Sequence, residues 1–180
     1  MNVIESLTNR NRSFAEGHAF EDLRIMPSKK TMILGCVDPR VDPAEIFDLA
    51  PGEAAVIRNV GGRVDPSVLL TMGLLRSVVK ARGSDVGLGW HLVVLHHTDC
   101  GIIDCHHHAP ALLAKQLGIS VAELDEAAIN NPHAAVALDV AALKANPNLP
   151  GGLAVSGIVY DVATGRVEVV VPETLLRSDD

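Results

Sequence analysis

Apolar positions along the chain follow two alternating periods. Residues 2–16 place Val3, Ile4, Leu7 and Phe14 at helical spacing before Gly17, which predicts an amphipathic helix with a glycine stop. Beyond it, short β-branched runs alternate with longer stretches of helical period. "TMILGC" (31–36) reads as a buried strand, "PAEIFDL" (43–49) as a short helix opened by proline, and "AAVIRN" (54–59) as a second strand. "PSVLLTMGLLRSVVKARG" (66–83) predicts a long helix with Pro66 near its start and Gly83 at its end, and "HLVVLHH" (91–97) a third strand. Ser120 and Glu123 in "SVAELDE" carry a capping-box signature for another helix. "PHAAVALDVAALKAN" (132–146) continues helical until "NPNLPGG" breaks it. The last segment, "LAVSGIVYDVATGRVEVVV", reads as two strands about a "TG" turn, and there is no internal repeat or low-complexity stretch.

Strands separated by helices imply an α/β fold: a mostly parallel central sheet flanked by helices on both faces, preceded by the N-terminal helix and closed by a C-terminal strand pair. Ligands on such sheets bind beyond the carboxyl ends of the strands, near the point where strand order reverses. Cys36 ends the first predicted strand and His97 the third, with Cys100 three residues on. If those two strands lie side by side, the three side chains meet at one sheet edge.

Composition narrows the classes. A chain of 180 residues with 48% hydrophobic content suits one domain over residues 1–180 with a real core. A formal net charge of -7 argues against nucleic acid, which needs clustered Lys and Arg, and favours a small-molecule substrate. The polar start "MNVIESLTNRNRSF" has no apolar signal region, and no stretch approaches the ~20 apolar residues of a membrane span. No membrane association and a cytoplasmic location are therefore expected. Three cysteines in such a chain point to metal binding or free thiols rather than a disulfide framework.

Two thiolates and one imidazole select zinc and leave the fourth tetrahedral position open, the mark of a catalytic site. Taken singly, an HxxC spacing is a weak signal, and a cysteine ending a strand is more often packing than a ligand. "CVDPRVDP" (36–43) adds Asp38 and Arg40 at alternate positions after Cys36, which on extended backbone face one side. There a bidentate guanidinium would neutralise and orient the carboxylate; a solvated Asp–Arg turn is the plainer alternative. Asp42 and Asp65 read as solvated turn residues. Cys105 reads as packing, and His96, on the opposite strand face, as a core or supporting histidine. His106, His107 and His108 read as a polar helix start, with a proton shuttle as the sharper alternative.

Cys36-Asp38-Arg40 as CxDxR, "RNVGG" at Arg58 to Gly62, and His97-Cys100-Gly101 as HxxCG resemble, in the same order, the three signature stretches of β-class carbonic anhydrases. "GIVYDVATGRVE" is similar to that family's closing strands, so the likeness runs from about Ser13 to Val171. The resemblance implies reversible hydration of carbon dioxide to bicarbonate through zinc-bound hydroxide. It places Cys36, His97 and Cys100 as zinc ligands and Asp38 and Arg40 as the catalytic dyad, and the chemistry of that reaction points to the Gly101 N–H, in the manner of a helix N-terminus, as donor to the substrate oxygen. It also implies a homodimer or homotetramer. Where the common form is "CSDSR", this chain has Val37 and Pro39. Relatives that hydrolyse carbonyl sulfide share the same ligands, so that activity, or an inactive zinc-binding homologue, is the alternative. A nucleotide-binding module is disfavoured because "NVGGRVDP" is not GxGxxG and there is no P-loop.

Overall fold

The computed structural model describes residues 2–18 and 20–177. Its strands are β1 (Thr31–Cys36), β2 (Ala54–Asn59), β3 (His91–His97), β4 (Ala154–Asp161) and β5 (Arg166–Leu175). They form one sheet in the order β2-β1-β3-β4-β5, parallel throughout except for β5, which returns antiparallel on β4 as a hairpin. The chain leaves β1 for β2 on one side, then crosses back over β1 to lay β3 on the other. The strand order therefore reverses between β1 and β3, and their carboxyl ends, Cys36 and His97, lie together there. Both strands are buried on both faces, which is why they read as unbroken apolar runs rather than as alternation.

The helices are α1 (Val3–Glu16), α2 (Pro43–Ile46), α3 (Pro66–Ala81), α4 (Ile102–His108), α5 (Pro110–Leu117) and α6 (Pro132–Ala145), with 3-10 turns at Val60–Gly62 and Val121–Ala127. On one sheet face Val68, Met72 and Val79 of α3 and Val136, Val140 and Leu143 of α6 pack on Met32, Leu34, Leu92, Val94 and Val155. On the other, Ile33, Leu95 and Ile158 meet Val41, with Ile46, Phe47 and Leu49 over them. A smaller cluster joins Ile102 of α4, Leu113 and Leu117 of α5, Leu124 and Ile129 beside the strand ends. No helix among the described residues is long and apolar enough to cross a membrane.

Local chemistry sets the boundaries. Asn2 and Glu5 form a capping box that opens α1, while Gly17 stops it in ordinary right-handed conformation, and the left-handed residue is His18. The short helix expected over 43–49 ends at Ile46, because the chain turns through Asp48 at φ 50. The Ser120–Glu123 capping box is present, but the segment it opens is 3-10 rather than α. The pair α4–α5 over residues 102–117 extends the single polar helix start that the sequence suggested.

Candidate metal centre

Cys36 keeps the parity of Met32 and Leu34 and so belongs to the α3–α6 side of the sheet. His97 keeps that of Leu95 and belongs to the other side. The two meet only because they lie at strand ends, where a side chain can lean past the edge. Cys100 joins them from the loop after β3, which turns back through Asp99 at φ 53. The Cys36 Sγ, His97 Nε2 and Cys100 Sγ atoms lie within 4.8 Å of one another.

The three donor atoms have the surroundings that a cation site needs. His97 Nδ1 donates to the Thr98 carbonyl at 2.8 Å, which leaves Nε2 as the lone-pair nitrogen, buried and without a hydrogen-bond partner among the described residues. Cys36 Sγ accepts from the backbone N–H groups of Asp38 at 3.4 Å and Gly61 at 3.3 Å. The Cys100 thiol beside it, the His97 ring and these N–H groups outweigh burial and hold the Cys36 thiol well below its ordinary pKa. Cys100 is pushed up, first by its hydrogen bond with Cys36 and then by burial. Burial opposes a charge on His97, yet Cys36, the Thr98 carbonyl and Asp38 outweigh it and raise its pKa, the sign of a negative local field. The two sulfurs are 3.8 Å apart, and two thiolates at ~2.3 Å from a tetrahedral zinc are separated by about that distance. An orphaned imidazole nitrogen and a stabilised thiolate thus fit a zinc ion.

Asp38 and Arg40 stand beside this cluster, but not on extended backbone. Pro39 and Arg40 occupy a turn closed by the Val41 N–H on the Asp38 carbonyl, a placement that suits the fixed φ of proline. The turn folds Arg40 back so that its Nε and Nη2 grip both oxygens of Asp38, at 3.0 and 2.7 Å. That grip, with the Arg40 backbone N–H, lowers the Asp38 pKa to about 2 despite burial. Asp38 Oδ2 is 4.0 Å from His97 Nε2. Arg40 Nη1 donates to Asp99 Oδ2 at 2.8 Å, and Nη2, shared with Asp38, also donates to the Asp99 carbonyl at 2.9 Å, tying the β1 and β3 loops together. Gly101 is exposed at the head of α4, with open space where a side chain would stand.

Other expectations are corrected or sharpened. Asp42 is not simply solvated: it caps α2 and pairs with Arg58 at 2.8 Å. Arg58 also donates to the carbonyls of Cys36 and Asp38, each at 2.8 Å, and so braces the whole turn. Asp65 is buried, caps α3 and accepts from Asn59 at 2.8 Å, because a cap inside the core needs both its oxygens satisfied. Cys105 packs against the Ile102 cluster. His106, His107 and His108 do not line the cavity of about 260 Å³ beside the cluster, which is bounded by His97, Cys100, Ile102, Ile103, Ile129 and Ala135 among others. His96 is buried and hydrogen-bonded to Asp139 at 3.1 Å.

The chain has relatives among known proteins. A family model described as carbonic anhydrase matches residues 31–167. "Beta-carbonic anhydrase 1" of Mycobacterium tuberculosis is 28% identical over 175 residues, covering 96% of this chain and 100% of its own. The carbon disulfide hydrolase of Saccharolobus solfataricus is 23% identical over 177 residues, covering 84% of this chain and 83% of its own. Among solved structures, the carbonic anhydrase of Streptococcus mutans superposes with a TM-score of 0.73 at 29% identity, over 94% of this chain and 98% of that one. The matched segment holds the whole Cys36, His97, Cys100 cluster and the Asp38–Arg40 turn, and the chain belongs to the β-carbonic anhydrase family.

Proposed function

We propose that the protein is a zinc-dependent carbonic anhydrase that interconverts carbon dioxide and bicarbonate. The observation that carries this reading is the convergence of Cys36, His97 and Cys100 next to a carboxylate that Arg40 holds in place. These three residues would hold the ion, which when bound supplies the Lewis acidity that makes hydroxide from water near neutral pH.

The chain's own residues divide the remaining work. Asp38, kept ionised by Arg40, is an acceptor at neutral pH, able to fix a donor's direction but not to give up a proton. The bidentate grip also prevents the carboxylate from swinging toward the ligand cluster. Ile102, Ile103, Ile129 and Ala135 give one wall of the cavity an apolar character that suits an uncharged, linear substrate. The exposed N–H of Gly101 is the donor proposed for the substrate oxygen. A homodimer or homotetramer accounts for α1, which buries none of its residues within this chain and leaves Val3, Ile4, Leu7 and Phe14 exposed.

The test is a zinc measurement beside stopped-flow hydration. The purified protein is expected to carry about one zinc per chain, to hydrate carbon dioxide, and to lose most of its zinc on Cys100→Ala. Zinc retained in full by that variant refutes the ligand assignment. Turnover of carbonyl sulfide or carbon disulfide without carbon dioxide hydration would move the activity to the sulfur substrates, toward which the carbon disulfide hydrolase relative points.

A further inference from the structure

Beside the ligand cluster lies a buried polar network, two of whose members, Arg63 and His96, also line the cavity proposed for the substrate. Asp139, in the middle of α6, is 5% exposed, as is Arg63, and His96 is 2% exposed. Asp139 Oδ2 accepts from Arg63 Nε at 2.9 Å, the Val64 N–H at 3.1 Å and His96 Nε2 at 3.1 Å, while Oδ1 accepts from Arg63 Nη2 at 3.1 Å. Arg63 Nη1 donates to the Ala127 carbonyl at 2.9 Å. The carboxylate is an acceptor only, so its partner nitrogen on His96 carries the proton.

The network touches no ligand, yet it holds the residue next to one and the loop beside another. His96 and His97 are adjacent on a strand and point to opposite faces, so locking one ring on the α6 side fixes the strand twist that aims the other. Arg63 ends the Asn59–Arg63 crossing, whose Asn59 side chain clasps both the N–H and the carbonyl of Arg63, at 2.9 and 2.8 Å. Within that crossing Gly61 donates to Cys36 Sγ, and Gly62, at φ +64, leaves no room for a Cβ, which would lie 2.9 Å from the Leu95 carbonyl oxygen.

We infer that Asp139, with Arg63 and His96, is a positioning residue for the Cys36–His97–Cys100 cluster; this rests on the metal-site reading above. A purely structural ion pair and a positioning one behave differently once stability is restored. An Arg63→Leu, Asp139→Leu double variant removes both buried charges together, which is commonly neutral or stabilising. At His96, Gln keeps a donor for Asp139, whereas Phe keeps a ring and loses the donor.

The readout is the thiolate-to-cobalt charge-transfer spectrum of the Co(II)-substituted protein, with metal affinity measured by competition with a chelator. His96→Gln is expected to keep the wild-type spectrum. His96→Phe and the Leu–Leu variant are expected to shift it and to weaken metal binding by about 10- to 100-fold, although the Leu–Leu variant melts near the wild-type temperature. Wild-type spectra and affinities in both His96→Phe and the Leu–Leu variant overturn the positioning role and leave the metal site standing. Failure of the wild-type chain to bind cobalt or zinc overturns the metal reading itself. If the Leu–Leu variant does not fold, the contrast between the two His96 variants decides alone, and equal spectra refute the inference.

Discussion

Arg40 is half-exposed and Asp38 is nearly covered, so the pair is an instrument of geometry more than of stability. Its guanidinium spans two loops: Nη1 holds the Asp99 carboxylate, while Nη2 is shared between the Asp38 carboxylate and the Asp99 carbonyl. Arg40→Ala is therefore expected to retain the zinc while carbon dioxide hydration falls by about 100-fold, read by stopped flow beside metal analysis. Lysine at this position should not rescue, because a point charge cannot grip two oxygens and a carbonyl at once. Gly62 makes a different demand. Its positive φ and the Leu95 carbonyl above it allow no side chain, so Gly62→Ala should destabilise the fold by roughly 1–3 kcal/mol in denaturant titration.

At the scale of elements, α6 is the member whose role extends beyond packing. Burial pushes the Asp139 carboxyl toward protonation, but the His96 and Arg63 contacts outweigh it and its pKa lies below the ordinary value. A depressed folded pKa adds stability above the unfolded value of about 3.9 and loses it as pH falls from there through the folded value. The Arg63→Leu, Asp139→Leu variant should thus lose less stability than wild type between neutral pH and pH ~3, as compared by denaturant midpoints. Periodicity revealed β1 to β5, α3 and α6 because these elements are governed by one period and clear breakers. It did not separate α4 from α5, since three consecutive histidines and the Ala109–Pro110 break interrupt any apolar stripe over 102–117. The Cys36, His97, Cys100 grouping and the Asp38–Arg40 pairing were legible because short motifs carry them. Arg63, Asp139 and Asp99 were not, because their side chains' partners are 43 or more residues away. The available signal for Asp139 was a single acidic residue in a helix otherwise apolar on nearly every side, a position that requires a buried cation or donor.

On the scale of the whole molecule, the N-terminal helix lacks a surface of its own to rest on. A helix of 14 residues is marginal in water unless its apolar face is covered, and none of the residues of α1 is buried. Leu70 and Leu74 on α3 are further exposed apolar surface, which the proposed self-association would cover. Removing residues 1–16 is expected to weaken self-association in sedimentation experiments while the sheet remains folded. The two-sided origin of the ligands has a further consequence. Because Cys36 issues from one packed layer and His97 from the other, no fraying of a single layer frees both. Escape of a bound ion should therefore be slower than the fraying of either layer alone, which the rate of metal loss to a chelator would read.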